Sequence, residues 1–234
     1  MKAKKQICYP VKQKLITNNN TCSIQWELLQ RFGEEANYGE VWIACCRKDC
    51  DYVLKYMSYE NNNKKEDIIN EVNIQDECSA LGLCPKIADA WLCEEGGAIV
   101  MEKFQITVAN LLLEYKSGNV KQLILANILS LIDRLHLHGI YHGDLHLNNI
   151  MVKINKNVDN TDISDKEHYI LSNYQYYLID FGKGGKFKDY SDGHVYKDYY
   201  EIYSHIEDLK DDYPEDEELK NLWEIMQIHM KKFD

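Results

Sequence analysis

The segment Tyr141-His142-Gly143-Asp144-Leu145-His146-Leu147-Asn148-Asn149, followed by Leu178-Ile179-Asp180-Phe181-Gly182, sets two carboxylates and a carboxamide in an order that suits phosphoryl transfer. Asp144 can orient a hydroxyl and accept its proton, Asn149 offers an amide oxygen to a hard cation, and Asp180 can bridge that cation to phosphate oxygens. Upstream, Val53-Leu54-Lys55 reads as a short apolar strand ending in a lysine, and Glu71 follows in a helical stretch. A lysine that holds phosphates needs a carboxylate on a facing helix to aim its long side chain. Each residue alone has a plainer reading: Lys55 as a snorkelling strand residue, Glu71 as a solvated helix position, Asp144 as a turn cap, Asn149 in an Asx-turn. Their joint order favours chemistry.

The elements that must position these groups follow from periodicity. Trp26 to Phe32, Val41 to Cys46 and Tyr52 to Met57 read as strands, with Gly33, Gly39 and Lys48-Asp49 as turn signals. Lys64 to Ala80 reads as a helix that carries Glu71, packs through Ile68, Val72 and Ile69, and ends at Gly82 and Pro85. Strands Ile87 to Cys93 and Ala98 to Phe104 complete a five-stranded first lobe. Thereafter Val108 to Tyr115 and Val120 to His138 read as helices, the second apolar on most faces and so expected to be a buried central helix that leads into Tyr141. Ile150 to Ile154 and Tyr176 to Ile179 can pair and set Asn149 beside Asp180, with 155–173 as a hydrophilic surface loop between them. From Tyr199 onward two helical patterns are broken at Asp211 to Pro214, with Ile202, Ile206, Leu219, Leu222, Ile225 and Ile228 as packing positions. The acidic run Glu215 to Glu218 falls where the last helix's macrodipole favours it.

Composition narrows the class. With 234 residues, 45% hydrophobic, the chain can bury a sizeable core. A formal net charge of -11 argues against direct binding of nucleic acid or anionic membrane. The basic cluster Lys2, Lys4, Lys5, Lys12 and Lys14 reads as a solvated tail, and a smaller one follows at Lys183, Lys186 and Lys188. The 8 cysteines, with no secretory leader, suggest free thiols in a reducing compartment, hence a cytoplasmic location. No paired C-x-x-C knuckle points to structural zinc, and no apolar run reaches the ~18 residues of a membrane span. Arg31, Arg47 and Arg134 are the only arginines, and asparagine runs at 18–20 and 61–63 complete an AT-rich signature that suggests a large DNA virus, which would place the protein in host cytoplasm or virion.

On the ordered set Lys55, Glu71, Asp144, Asn149 and Asp180, the chain resembles the protein-kinase-like superfamily. The resemblance implies an α+β, two-lobed fold: an N-terminal lobe over 1–103, with an antiparallel sheet and one helix, and a mainly helical C-terminal lobe over 104–234. It implies ATP and Mg²⁺ as cofactors, a protein substrate, and room for a regulatory protein partner. By the same resemblance Gly39, Val41 and Val53 would cover the nucleotide, Met101 would stand behind the adenine, and Glu102 to Phe104 would form the linker whose backbone reads its edge. Plain core is the competing account of the valines and Met101. Lys55 and Glu71 would position phosphates, Asp144 would orient the acceptor hydroxyl, Asn149 and Asp180 would hold metal, and His146 would stabilise the moving phosphoryl group. His142 and Phe181 are expected to be packing residues. Lys55 and Asp180 are expected to be dispensable for building the core.

The departures from the family pattern are informative. Before Gly39-Glu40-Val41, the first two glycines of the phosphate loop are replaced by Glu34 and Ala36, which weakens the expected nucleotide grip. Gly143 stands where regulated protein kinases carry an arginine that pairs with a phosphorylated activation loop, so that control is not expected. No Ala-Pro-Glu follows Asp180-Phe181-Gly182, which reduces the peptide-docking segment. His146 replaces the lysine that contacts the transferred phosphate, a form similar to aminoglycoside and choline phosphotransferases and to the short atypical kinases. Serine or threonine hydroxyls of proteins are the leading acceptors. A small-molecule phosphotransferase, a catalytically weak pseudokinase and an ATPase switch remain as alternatives.

Overall fold

The computed structural model describes residues 9–10, 26–31, 40–46, 49–59, 64–154, 173–190 and 193–233. The chain divides into two compact units, Met1–Lys103 and Phe104–Asp234. Gly39, Glu34, Ala36, the five N-terminal lysines and the loop 155–172 lie outside the described residues.

Among the described residues the first unit is a 6-stranded antiparallel sheet with one helix. In chain order the strands are β1 (Tyr9–Pro10), β2 (Glu27–Arg31), β3 (Glu40–Cys46), β4 (Asp49–Ser58), β5 (Ile87–Leu92) and β6 (Gly96–Glu102), arranged β1-β5-β6-β4-β3-β2. The sequence suggested five strands. The sixth, β1, pairs Tyr9 with Leu92 and Pro10 with Trp91 and covers the outer edge of β5; as an edge strand it is the kind of place where proline is tolerated.

Side-chain alternation builds two layers. Val53, Met57, Ile99 and Met101 point to one face, where they pack with Ile68 and Val72 of α1 (Lys65–Ala80). Ala44, Leu54, Ala98 and Val100 form the other face, covered by Trp26, Tyr52, Tyr56 and Trp91. Helix α1 starts where the Asp67 carboxylate accepts the Lys64 N–H at 3.0 Å, and ends where Gly82 adopts φ +70, a left-handed conformation that lets Leu83 N–H reach back to the Cys78 carbonyl.

The cysteines depart from expectation. Cys45 and Cys50 form a disulfide across the β3–β4 hairpin, and Cys46 and Cys93 are disulfide-bonded as well. The antiparallel register brings Cys46 opposite Asp49 and so sets the neighbouring Cys45 and Cys50 within bonding reach, which linear spacing does not reveal. Cys78 and Cys84 are free and buried.

The second unit is mainly helical. Its elements are β7 (Ile106–Thr107), α2 (Val108–Glu114), α3 (Gly118–Leu137), β8 (Ile140–Tyr141), a 3-10 turn (Leu147–Asn149), β9 (Ile150–Ile154), β10 (Tyr174–Leu178), β11 (Gly185–Lys186), α4 (Gly193–Asp212) and α5 (Glu217–Met230). Helix α3 is the buried centre, with Ile124, Ile128, Ile132 and Leu135 sealed from solvent. Lys121, also on its buried face, ion-pairs with Asp216, the residue that caps α5. Helix α4 begins several residues before the Tyr199 start expected from sequence, because Val195 and Asp198 already belong to its buried stripe. On α5 the buried stripe is Leu219, Leu222 and Met226; Ile225 and Ile228, expected to pack, are exposed. At about 100° per residue, Ile228 lies on the opposite side of the helix from Leu219. Among the described residues no helix is long and apolar enough to cross a membrane.

Candidate active site

Each unit contributes its own group of functional side chains. In the first, Lys55 sits on β4 between Val53 and Met57, on the face that α1 covers. Glu71 lies on the buried stripe of α1 with Ile68, Val72 and Gln75. The two meet, with Lys55 Nζ donating to Glu71 Oε1 at 2.8 Å and side-chain exposures of 9% and 2%. Lys55 was expected to be dispensable for the core, yet it is the counter-ion of a carboxylate sunk inside it. Removing either partner takes from the other its 2.8 Å counter-ion within that core.

Of the positions expected to contact nucleotide in this unit, Val41, Val53 and Met101 fall in or against the same cluster. Val53 and Met101 are buried core members and Val41 packs against them; Met101 Sδ also accepts a hydrogen bond from Gln75 Nε2. Glu102 closes β6 opposite Tyr52, and Lys103 N–H donates to the Asp51 carbonyl. Phe104 opens the second unit, buried and stacked on Tyr177 with ring centroids 4.7 Å apart.

In the second unit the loop between β8 and β9 carries the candidate catalytic side chains. His142 is fully buried against Phe181, donates from Nε2 to the Ile179 carbonyl at 2.8 Å, and accepts the Asp144 N–H at Nδ1. Burial pushes its imidazole below the ordinary 6.5 against the pull of Asp198, the Ile179 carbonyl, Asp180 and Asp144, so it stays neutral and serves as a bracket. Asn149 Nδ2 donates to the Asp144 carbonyl at 3.0 Å, which turns its Oδ1 away from that contact. The β9–β10 ladder ends at Leu178 opposite Ile150, and Ile179 N–H continues it onto the Asn149 carbonyl at 3.0 Å. Asp180 follows immediately, at φ +66, the one non-glycine with positive φ among the described residues. Aspartate tolerates this region better than most residues, and strain of this kind concentrates at functional sites.

The donor set suits a hard cation. The Asn149 amide oxygen and the Asp180 carboxylate would offer two protein oxygens to a cation, and Mg²⁺ characteristically takes one or two protein groups and completes its octahedron with water and phosphate. Among the described residues there is no group of three or more His, Cys, Asp or Glu that could hold a metal ion.

Three residues that sequence reasoning missed hold this loop. Asp198 on α4 is fully buried and accepts from His142 N–H, from Gly143 N–H at 2.8 Å each, and contacts His136 Nε2 at 2.9 Å. A carboxylate on the apolar stripe Val195, Asp198, Ile202, Ile206, Leu209 was its visible signal. His205, further along α4, accepts the Leu147 N–H at Nδ1, and its ring lies edge-on to His146 with centroids 5.6 Å apart. Burial, with the neighbouring His146, lowers the His205 pKa, while Asp208 opposes the shift. Lys183, recorded in the sequence only as part of a basic cluster, donates to Asp144 Oδ1 at 2.8 Å.

The structure therefore pairs Lys55 with Glu71 in one unit and gathers Asp144, Asn149 and Asp180 around one bracketed loop in the other; His146 is turned onto a histidine of α4. A family model described as the protein kinase domain matches residues 26–201. No curated protein matches the chain. The matched span covers about three quarters of the sequence and includes Lys55, Glu71, Asp144, His146, Asn149 and Asp180, and the chain belongs to the protein kinase domain family.

Proposed function

We propose that the chain transfers the γ-phosphoryl group of ATP, with Mg²⁺, to serine or threonine hydroxyls of proteins. The observation that carries this reading is the buried Lys55–Glu71 pair at 2.8 Å. A buried ion pair contributes little stability beyond what well-packed apolar residues would give, so its place in the core supports a role in holding phosphates. In this reading Lys55 grips the α- and β-phosphates and Glu71 aims it. Asn149 and Asp180 hold the cation, which screens the phosphate charge when bound. Asp144 orients the acceptor hydroxyl and takes its proton. Catalysis is then mostly positioning and electrostatics.

A small-molecule acceptor is the second reading, favoured by the short segment 187–192 between β11 and α4. That segment leaves little chain on which to dock a peptide. The test is transfer of labelled γ-phosphate with Mg²⁺ to a generic protein acceptor, with Asp144→Ala as control. Label on serine or threonine that falls at least ~10²-fold in the control supports the proposal. ATP consumption without labelled protein moves the acceptor to a small molecule or water, and no consumption at all overturns the phosphotransferase reading.

A further inference from the structure

In the family pattern, the residue two positions after the catalytic aspartate is a lysine that meets the transferred phosphate; here it is His146. Its ring packs edge-on against His205, whose Nδ1 accepts the next backbone N–H of the loop. Position 146 is thus committed to the contact with α4. Yet the aspartate has a cation. Lys183 Nζ lies 2.8 Å from Asp144 Oδ1, with side-chain exposures of 46% and 28%.

The backbone, and not only a flexible side chain, puts Lys183 there. Gly184 N–H closes a turn onto the Phe181 carbonyl, and Gly185 and Lys186 pair with Tyr141 and Ile140. Lys183 is therefore held at the tip of a turn pressed against the catalytic loop. Gly143, at φ +79, is what permits the approach: a Cβ there would stand 2.4 Å from the Lys183 carbonyl oxygen. An exposed ion pair of this kind adds little to stability, so packing does not explain the arrangement.

We propose that Lys183 is a catalytic residue that replaces the missing loop lysine: it contacts the γ-phosphoryl oxygens during transfer and keeps the Asp144 carboxylate aimed at the acceptor. The inference rests on the phosphotransferase reading above. In the step, the acceptor oxygen forms a bond to the γ-phosphorus and the bond to the β,γ-bridging oxygen breaks. Its electron pair leaves with ADP, and the hydroxyl proton passes to Asp144. Lys183 supplies positive charge and moves no proton.

The test compares wild type, Lys183→Met and Lys183→Arg for kcat and KM for ATP. It also measures their affinities for ADP and for a non-hydrolysable triphosphate analogue. Lys183→Met is expected to lower kcat on the order of 10²-fold and to abolish any preference for triphosphate over diphosphate, with ADP affinity held within about twofold. Lys183→Arg is expected to recover much of the rate, because it restores the charge. A Lys183→Met enzyme within about threefold of wild-type kcat overturns the inference, as does a loss of ADP affinity and thermal midpoint in parallel. Wild type that transfers phosphate to no acceptor overturns the phosphotransferase reading and this inference with it; an active wild type with an undiminished Lys183→Met overturns this inference alone.

Discussion

Lys55 and Glu71 allow stability and chemistry to be separated. Both are within the core, at 7% and 2% exposure, and each is the other's counter-ion at 2.8 Å. Lys55→Met removes the cation and leaves a carboxylate among Ile68, Val72 and the sheet; Glu71→Leu leaves an ammonium in the same place. Breaking a buried pair from one side costs about 3–5 kcal/mol. For a chain of this size each kcal/mol moves the thermal midpoint by about 2–4 °C, so each single variant should melt roughly 6 to 20 °C below wild type. The double variant Lys55→Met/Glu71→Leu buries no charge and fills the same volume with apolar atoms, so its midpoint should return most of the way. Phosphotransfer should be lost in all three. Circular dichroism melts with a transfer assay on the same samples read both quantities. Single variants that melt with wild type, or a double variant no more stable than the singles, would refute the account of the pair as a costly functional insertion.

Three other perturbations test the bracket around the catalytic loop. Asp198→Ala leaves the His142 and Gly143 N–H groups without their buried acceptor, so it should cost about 3–5 kcal/mol by denaturant unfolding and lower kcat at least ~10²-fold; near-native values of both would show that the loop holds itself. Gly143→Ala forces a Cβ into the Lys183 carbonyl and a non-glycine into the left-handed region, itself worth about 1–2 kcal/mol, and should cut transfer at least tenfold while the chain still binds ADP. His142, His205 and His229 all have pKa values lowered from 6.5, each first by burial. Folded-state histidines that resist protonation contribute nothing above 6.5, where both states are neutral. Below it the unfolded chain takes up protons that the folded chain declines, so stability should fall as pH drops from about 6.5 towards the folded pKa values. The midpoint measured against pH should show this slope, and His205→Gln should flatten it; a midpoint that rises on acidification from about pH 7 to 6 would contradict the sign.

How much of this was legible in the sequence depended on whether a residue's role is local. Lys55, Glu71, Asp144, Asn149 and Asp180 could be picked out as candidates because their types and their order along the chain resemble the kinase pattern. The apolar positions Ile68 and Val72 told which side of α1 is buried. What the sequence hid were contacts between distant segments. Asp198 pairs with a loop more than fifty residues away. Cys45 and Cys50 join because a hairpin register brings them together. Ile228 was misplaced because a run of apolar letters does not state which side of a helix a neighbour covers, and α5 turns Leu219, Leu222 and Met226 inward instead.

The departures that weakened the sequence argument are physically linked. A glycine at 143 removes the arginine of regulated kinases, and that removal opens the space into which the Lys183 carbonyl descends. The descent brings an ammonium to Asp144, where the histidine at 146 no longer supplies one. Restoring one family residue by itself should therefore harm the enzyme: Gly143→Arg would drive the Lys183 turn off the loop and take the cation with it. His146→Lys, by contrast, would place a second cation beside Asp144 and should lessen the rate penalty of Lys183→Met. If Lys183→Met is equally slow with His146 and with Lys at position 146, the two cations do not share a role and the linkage is wrong.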